Sequence, residues 1–260
     1  MRLHFRQSGS SQNPPLLFLH GLFGSSANWG RIVRHFEADY HCIIPDLRNH
    51  GGSPHDADVS YQAQAADVQE LMQQLSIDSA VYIGHSMGGK VAMTQALTQA
   101  HSVDALVVVD IAPVHYTHGF TTIFTSLQQL DMDSLQDRKD ADSQLAPSIA
   151  EPEIRAYLLQ NLVRKNGRWQ WRINLDSLCA GIDALMDFPD SNGRRYAGDT
   201  LFLHGERSDY VNQTGRQRAI TLFPNADFSK VANAGHWVYA EQPDKFIQSV
   251  EVFLDRNRAE

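Results

Sequence analysis

The chain is 260 residues long, 42% hydrophobic and 20% charged, which suits one large α/β domain or one domain carrying an inserted cap. Its 22 basic and 30 acidic residues leave a net charge of −8, which argues against nucleic acid or an anionic membrane surface as a partner. No apolar run approaches ~20 residues, no signal-peptide order opens the chain, and Cys42 and Cys179 give neither a disulfide framework nor a metal spacing, so a soluble cytoplasmic protein without membrane insertion is expected, its oligomeric state left open.

In chain order, "LLFLH" (16–20) is the first expected strand and runs into a turn at His20-Gly21. "YHCIIP" (40–45) follows, with Cys42 expected as a buried thiol. Tyr61, Ala65, Val68, Leu71, Met72 and Leu75 repeat at helical spacing. "AVYIG" (80–84) and "ALVVVD" (105–110) are again short, apolar and β-branched, as strands buried on both faces of a parallel sheet are.

From about His115 to Tyr196 that rhythm stops. Helical spacing dominates there, as in Ile154, Leu158, Leu159 and Leu162, while Asn166-Gly167 signals a hairpin turn. A segment of this size between sheet strands predicts a helical cap (115–196) inserted into a core made of 1–114 and 197–260. "TLFLHG" (200–205) and "DFSKV" (227–231) resume the strands. Phe246, Ile247, Val250, Phe253 and Leu254 close the chain as an amphipathic helix, with Pro243 near its start. The alternation predicts a mostly parallel, doubly wound α/β sheet.

"VYIGHSMGGKVAM" (81–93) admits two chemistries. Gly84-x4-Gly89-Lys90 nearly spells a phosphate-binding loop, while Gly84-x-Ser86-x-Gly88 spells a nucleophile elbow. The phosphate reading fails on Val91, which lacks the hydroxyl for Mg²⁺, on the bulk of His85, Ser86 and Met87, and on its late position in the chain. The elbow reading needs small residues two positions either side of the serine, and Gly84 and Gly88 supply them. After the first strand, the His20-Gly21 turn puts the Leu22 N–H where a second oxyanion donor belongs, the first being Met87, the residue after the serine. His236, on a loop after the last strand, occupies the place of a base in a Ser…acid…His order.

With these residues in view, the chain resembles the α/β-hydrolase superfamily over nearly its whole length. "HGLFGSSANW", "PDLRNHGGSP", "IGHSMGGKVAM", "VVDIAPVHY" and "NAGHWVYAEQP" are similar to the YbfF-type bacterial esterases. The resemblance implies hydrolysis of acyl esters, with acyl-CoA thioesters as a further substrate class, and no cofactor. By the same resemblance Ser86 is the nucleophile, His236 the general base, and Leu22 and Met87 the oxyanion hole. The acid has two candidates. The superfamily's usual place offers Asp209 in "LHGERSDYV"; the subfamily implies Asp110 of "DIAP", which also ends a strand beside the elbow strand and is favoured. Glu206 is weaker for either role.

Asp46 and Arg48 of "DLRNHG" are expected to brace a loop, in preference to Arg48, Asn49 or His50 meeting substrate. Trp169 and Trp171 fit equally an acyl pocket or a hydrophobic seam under the cap. The expected partner is a small-molecule acyl ester or thioester, not nucleic acid. Haloalkane dehalogenases and epoxide hydrolases need an aspartate at position 86. C–C bond hydrolases, peptidases and a non-catalytic receptor on the same scaffold stay open.

Overall fold

The computed structural model describes residues 1–117 and 119–258. Its strands are β1 (Phe5–Ser8), β2 (Pro15–Leu19), β3 (His41–Pro45), β4 (Ala80–His85), β5 (Val103–Val109), β6 (Leu162–Lys165), β7 (Arg168–Trp171), β8 (Thr200–Gly205) and β9 (Ala226–Val231). Seven of them form one sheet in the order β1-β3-β2-β4-β5-β8-β9. Six run parallel, and β1 pairs antiparallel with β3 along the edge. The sequence reading missed β1. Phe5 and Ser8 are half-buried and Arg6 and Gln7 exposed, so no apolar run marks it, and its register is set by the β3 ladder.

The helices are α1 (Gly30–Phe36), α2 (Tyr61–Gln74), α3 (Met87–Thr98), α4 (Phe120–Gln128), α5 (Arg138–Leu145), α6 (Pro152–Leu159), α7 (Leu175–Ala180), α8 (Ile182–Met186), α9 (Gln213–Leu222), α10 (Val238–Glu241) and α11 (Pro243–Arg258). Strand side chains alternate between two cores. Leu16, Phe18, Ile83, Val107 and Leu203 pack with Ile32 of α1 and Phe246 of α11. Leu17, Leu19, Tyr82, Val108 and Phe202 face the other way, onto Val68 of α2, Met93 of α3 and Leu222 of α9. Helices thus cover both faces, and the loops at the strands' carboxyl ends are left to build a site. Cys42 is fully buried in β3, and burial pushes its thiol up to about 12. No helix among the described residues is long and apolar enough to cross a membrane.

Between β5 and β8 lie α4 to α8 and the β6–β7 hairpin. The expected helix through Leu162 stops at Leu159, because Leu162 is the first residue of β6 and pairs with Trp171. The hairpin turn forces this. Asn166 and Gly167 take φ of 52° and 80°, the double left-handed turn that matches strand twist, and pairing back from it captures Leu162. This segment shares the second core through Phe124, Leu127, Leu158, Leu178 and Leu185.

Candidate active site

Ser86 follows β4 directly and caps α3, at φ 52° and ψ −117°. A side-chain-bearing residue pays roughly 1–3 kcal/mol to sit there and persists only where its surroundings over-determine it. They do so here: the Ser86 N–H donates to Val109 O at 3.0 Å, and its carbonyl accepts from the Lys90 N–H at 3.1 Å. The flanking glycines are required by space. A Cβ on Gly84 would lie 2.3 Å from Gly88 O, and one on Gly88 would lie 2.4 Å from Leu19 O.

Lys90, the lysine of the phosphate-loop pattern, is 1% exposed and lines the same cavity as Ser86. Its Nζ donates to Met186 O (2.8 Å) and Asp187 O (2.6 Å) and lies over the rings of Tyr61 and Tyr116. Burial pushes the ammonium down to about 7, against the pull of Asp187.

Asp110 directly follows β5 with φ 52° and is fully buried. Its Oδ1 accepts from the Gly205 N–H at 3.0 Å, and its Oδ2 accepts from Ser208 Oγ at 2.5 Å and from His236 Nδ1 at 2.7 Å. A buried carboxylate accepting at Nδ1 puts the imidazole proton there and leaves Nε2 as a lone pair. Ring and backbone of His236 are both held. Tyr210 stacks on it (centroids 4.2 Å apart), and His85 Nε2 donates to the His236 carbonyl at 2.9 Å. Burial drives His85 well below the usual histidine range, so it is a neutral donor. Asp209 lines the cavity as an exposed side chain and makes no hydrogen bond to His236. Glu206 is spent on the Asn233 N–H (3.0 Å) and lies 3.7 Å from Lys230.

The loop after β2 carries Leu22, and the first turn of α3 carries Met87. Among the described residues no hydrogen bond occupies either N–H. Met87 is the first helical residue, whose N–H has no intrahelical acceptor. His20 and His50 support the loop from beneath. His20 Nδ1 donates to Gly21 O (2.9 Å) while its Nε2 accepts from the Leu47 N–H (2.9 Å), and His50 Nε2 accepts from the Phe23 N–H (3.1 Å). Burial lowers both, His50 to about 3, which preserves these acceptor lone pairs. Asp46 and Arg48 brace the adjoining loop: Asp46 takes the Ser26 and Gly52 N–H groups, and Arg48 Nε donates to Asp67 at 2.6 Å.

Ser86, His236, Leu22 and Met87 line one cavity of about 520 Å³, the size of a small-ligand pocket. Ser86 makes no hydrogen bond to His236 among the described residues; catalytic bonds of this kind tighten in the complex with substrate. Phe120, Ile123, Ile154 and Leu158 of the β5–β8 segment supply apolar wall. Trp169 and Trp171 do not line it. Their indoles donate to Leu135 O (3.0 Å) and Leu127 O (3.1 Å), so they form the seam within the segment. No group of three or more metal-ligating side chains lies among the described residues. Sequence reasoning overlooked Ser208, Tyr157 and Tyr210. Ser208 and Tyr210 sit in the same "ERSDYV" turn that had drawn attention to Asp209.

The family model for the alpha/beta hydrolase fold matches residues 14–243. The chain is 41% identical over 254 residues to the sn-1-specific diacylglycerol lipase ABHD11 of Mus musculus, covering 95% of this chain and 82% of that protein. It is 33% identical to esterase YbfF of Escherichia coli over 98% of this chain and all of the relative. Among solved structures, a marine microorganism esterase superposes with a TM-score of 0.93 at 36% identity, covering 97% of this chain and 99% of that one.

Proposed function

The chain belongs to the α/β-hydrolase fold family, and on that footing we propose that it is a serine esterase that cleaves acyl esters through an acyl-enzyme on Ser86. One observation carries the reading: a strained serine and a carboxylate-bound imidazole on the walls of one cavity, beside two unclaimed backbone N–H groups.

His236 Nε2 takes the Ser86 proton as Oγ attacks the ester carbonyl. Asp110 fixes the imidazole tautomer and stabilises the imidazolium that forms. The Leu22 and Met87 N–H groups donate to the oxyanion, a contribution of about 2.7–4 kcal/mol per donor in comparable sites. Collapse of the tetrahedral intermediate expels the alcohol, which receives the proton from His236. Water, deprotonated by the same imidazole, then attacks the acyl-enzyme and releases the acid.

The acyl group lies in the apolar wall contributed by residues 115–196, which we read as a cap on a core of 1–114 and 197–260. Relatives named as esterases and a diacylglycerol lipase support ester substrates. With Asp209 exposed at the cavity and a net charge of −8, a neutral ester suits the entrance better than an anionic CoA thioester. On composition, the reading extends to a cytoplasmic enzyme. The test is turnover of p-nitrophenyl esters of increasing acyl length alongside the matching CoA thioesters. Multiple turnovers on the esters, with lower kcat/KM on thioesters, are expected; stoichiometric binding without turnover would mean a receptor instead.

A further inference from the structure

Phe23 has φ 63°, an outlier for a bulky aromatic residue that must be held by its neighbours. The polar groups around it are almost all spoken for. Gly21 O accepts from His20 Nδ1 and from the Gly24 N–H, both at 2.9 Å. Leu22 O accepts from Tyr157 Oη at 3.0 Å, the Phe23 N–H donates to His50, and Phe23 O accepts from Asn161 Nδ2 at 2.7 Å. Among the described residues the Leu22 N–H is left unclaimed; its own peptide plane is held through Gly21 O, and the next two peptides are held through Leu22 O and Phe23 O.

Two of those clamps come from outside the core. Tyr157 is on α6 and Asn161 just beyond it. The buried face of α6 is Arg155, Leu158 and Leu159, and Tyr157 lies off it. Tyr157 also lies against Trp237, next to the proposed base, with ring centroids 5.4 Å apart. A Cβ on Gly24 would come within 2.8 Å of its hydroxyl, so the loop is shaped to admit that contact.

We infer that Tyr157 and Asn161 are positioning residues: by holding the Leu22 and Phe23 carbonyls they fix the loop just past the Leu22 N–H and keep that donor in its oxyanion-donating orientation. This rests on the esterase reading of Ser86 and Leu22. The inserted segment then completes the oxyanion hole as well as walling the acyl pocket.

A trifluoromethyl ketone, whose hemiketal oxygen would occupy the oxyanion position, and a short acetyl ester test the inference together. Tyr157→Phe keeps the ring on Trp237 and removes only the hydroxyl; Asn161→Ala removes the amide. Each should lower kcat by about tenfold, the scale of one lost hydrogen bond, with KM within about twofold. The ketone Ki should rise by the same factor as kcat falls. A merely structural role would lower the melting temperature and leave kcat and Ki unchanged, which would overturn the inference, as would a rise in KM alone. Should Asn161→Ala fail to fold, Tyr157→Phe decides by itself. A wild-type enzyme that the ketone does not inhibit would sink the Ser86 reading and this inference with it. Strong inhibition of the wild type, with both variants matching it in kcat and Ki, would sink this inference alone.

Discussion

His236 has two aspartates in its neighbourhood, and hydrogen bonding separates them. Asp110 is buried and 2.7 Å from Nδ1, whereas Asp209 is exposed and bonded to neither ring nitrogen. Asp110→Asn would present an amide to the imidazole and favour the wrong tautomer. Its loss of kcat/KM should reach up to about 10⁴, the size seen for the equivalent change in serine proteases, while Asp209→Asn should cost less than about tenfold. Steady-state kinetics on one ester checks both; the reverse ranking would reassign the acid. Ser86 and His236 were legible in the sequence because each sits next to an element whose end the pattern marks. Asp110 was favoured there but not separated from Asp209, since choosing needs a distance. Tyr157 and Asn161 left no trace, because their partners are backbone carbonyls about 135 residues away, set by how α6 docks.

The segment between β5 and β8 divides into wall and seam. Ile123 and Ile154 line the cavity, whereas the Trp169 and Trp171 indoles tie the hairpin to Leu135 and Leu127. Ile123→Ala or Ile154→Ala should therefore shift the acyl-length optimum upward by enlarging the pocket. Trp171→Phe should leave the optimum in place and lower stability by about 1 kcal/mol through one lost hydrogen bond. An acyl-length series with thermal melts checks both, and an optimum that moves with Trp171→Phe would return that residue to the pocket. The hairpin was readable because two residues carry its geometry, Asn166 and Gly167. The edge strand β1 and the early end of α6 were not, since both are decided by pairing with distant chain.

Across the whole molecule, Lys90 joins α3 to the segment between β5 and β8 through a buried amine. Burial lowers it to about 7 from the ordinary lysine value of 10.5. Between those values the unfolded chain binds the proton that the folded chain has released, so stability from this group rises with pH across that window and is flat below it. Urea unfolding should show wild type gaining on Lys90→Met from pH 7 to pH 9; a constant difference would mean that the ammonium stays charged when folded. The parallel sheet itself was legible because runs buried on both faces are apolar without alternation, and Ser86, Asp110 and His236 all follow carboxyl ends of its strands. Covalent chemistry there is tested most directly by a fluorophosphonate probe read by intact mass and peptide mapping. Wild type should gain one adduct, on the peptide holding Ser86, and Ser86→Ala should gain none while melting at a similar temperature. An adduct that survives in Ser86→Ala, or a wild type that stays unlabelled while folded, would contradict a serine nucleophile at this position.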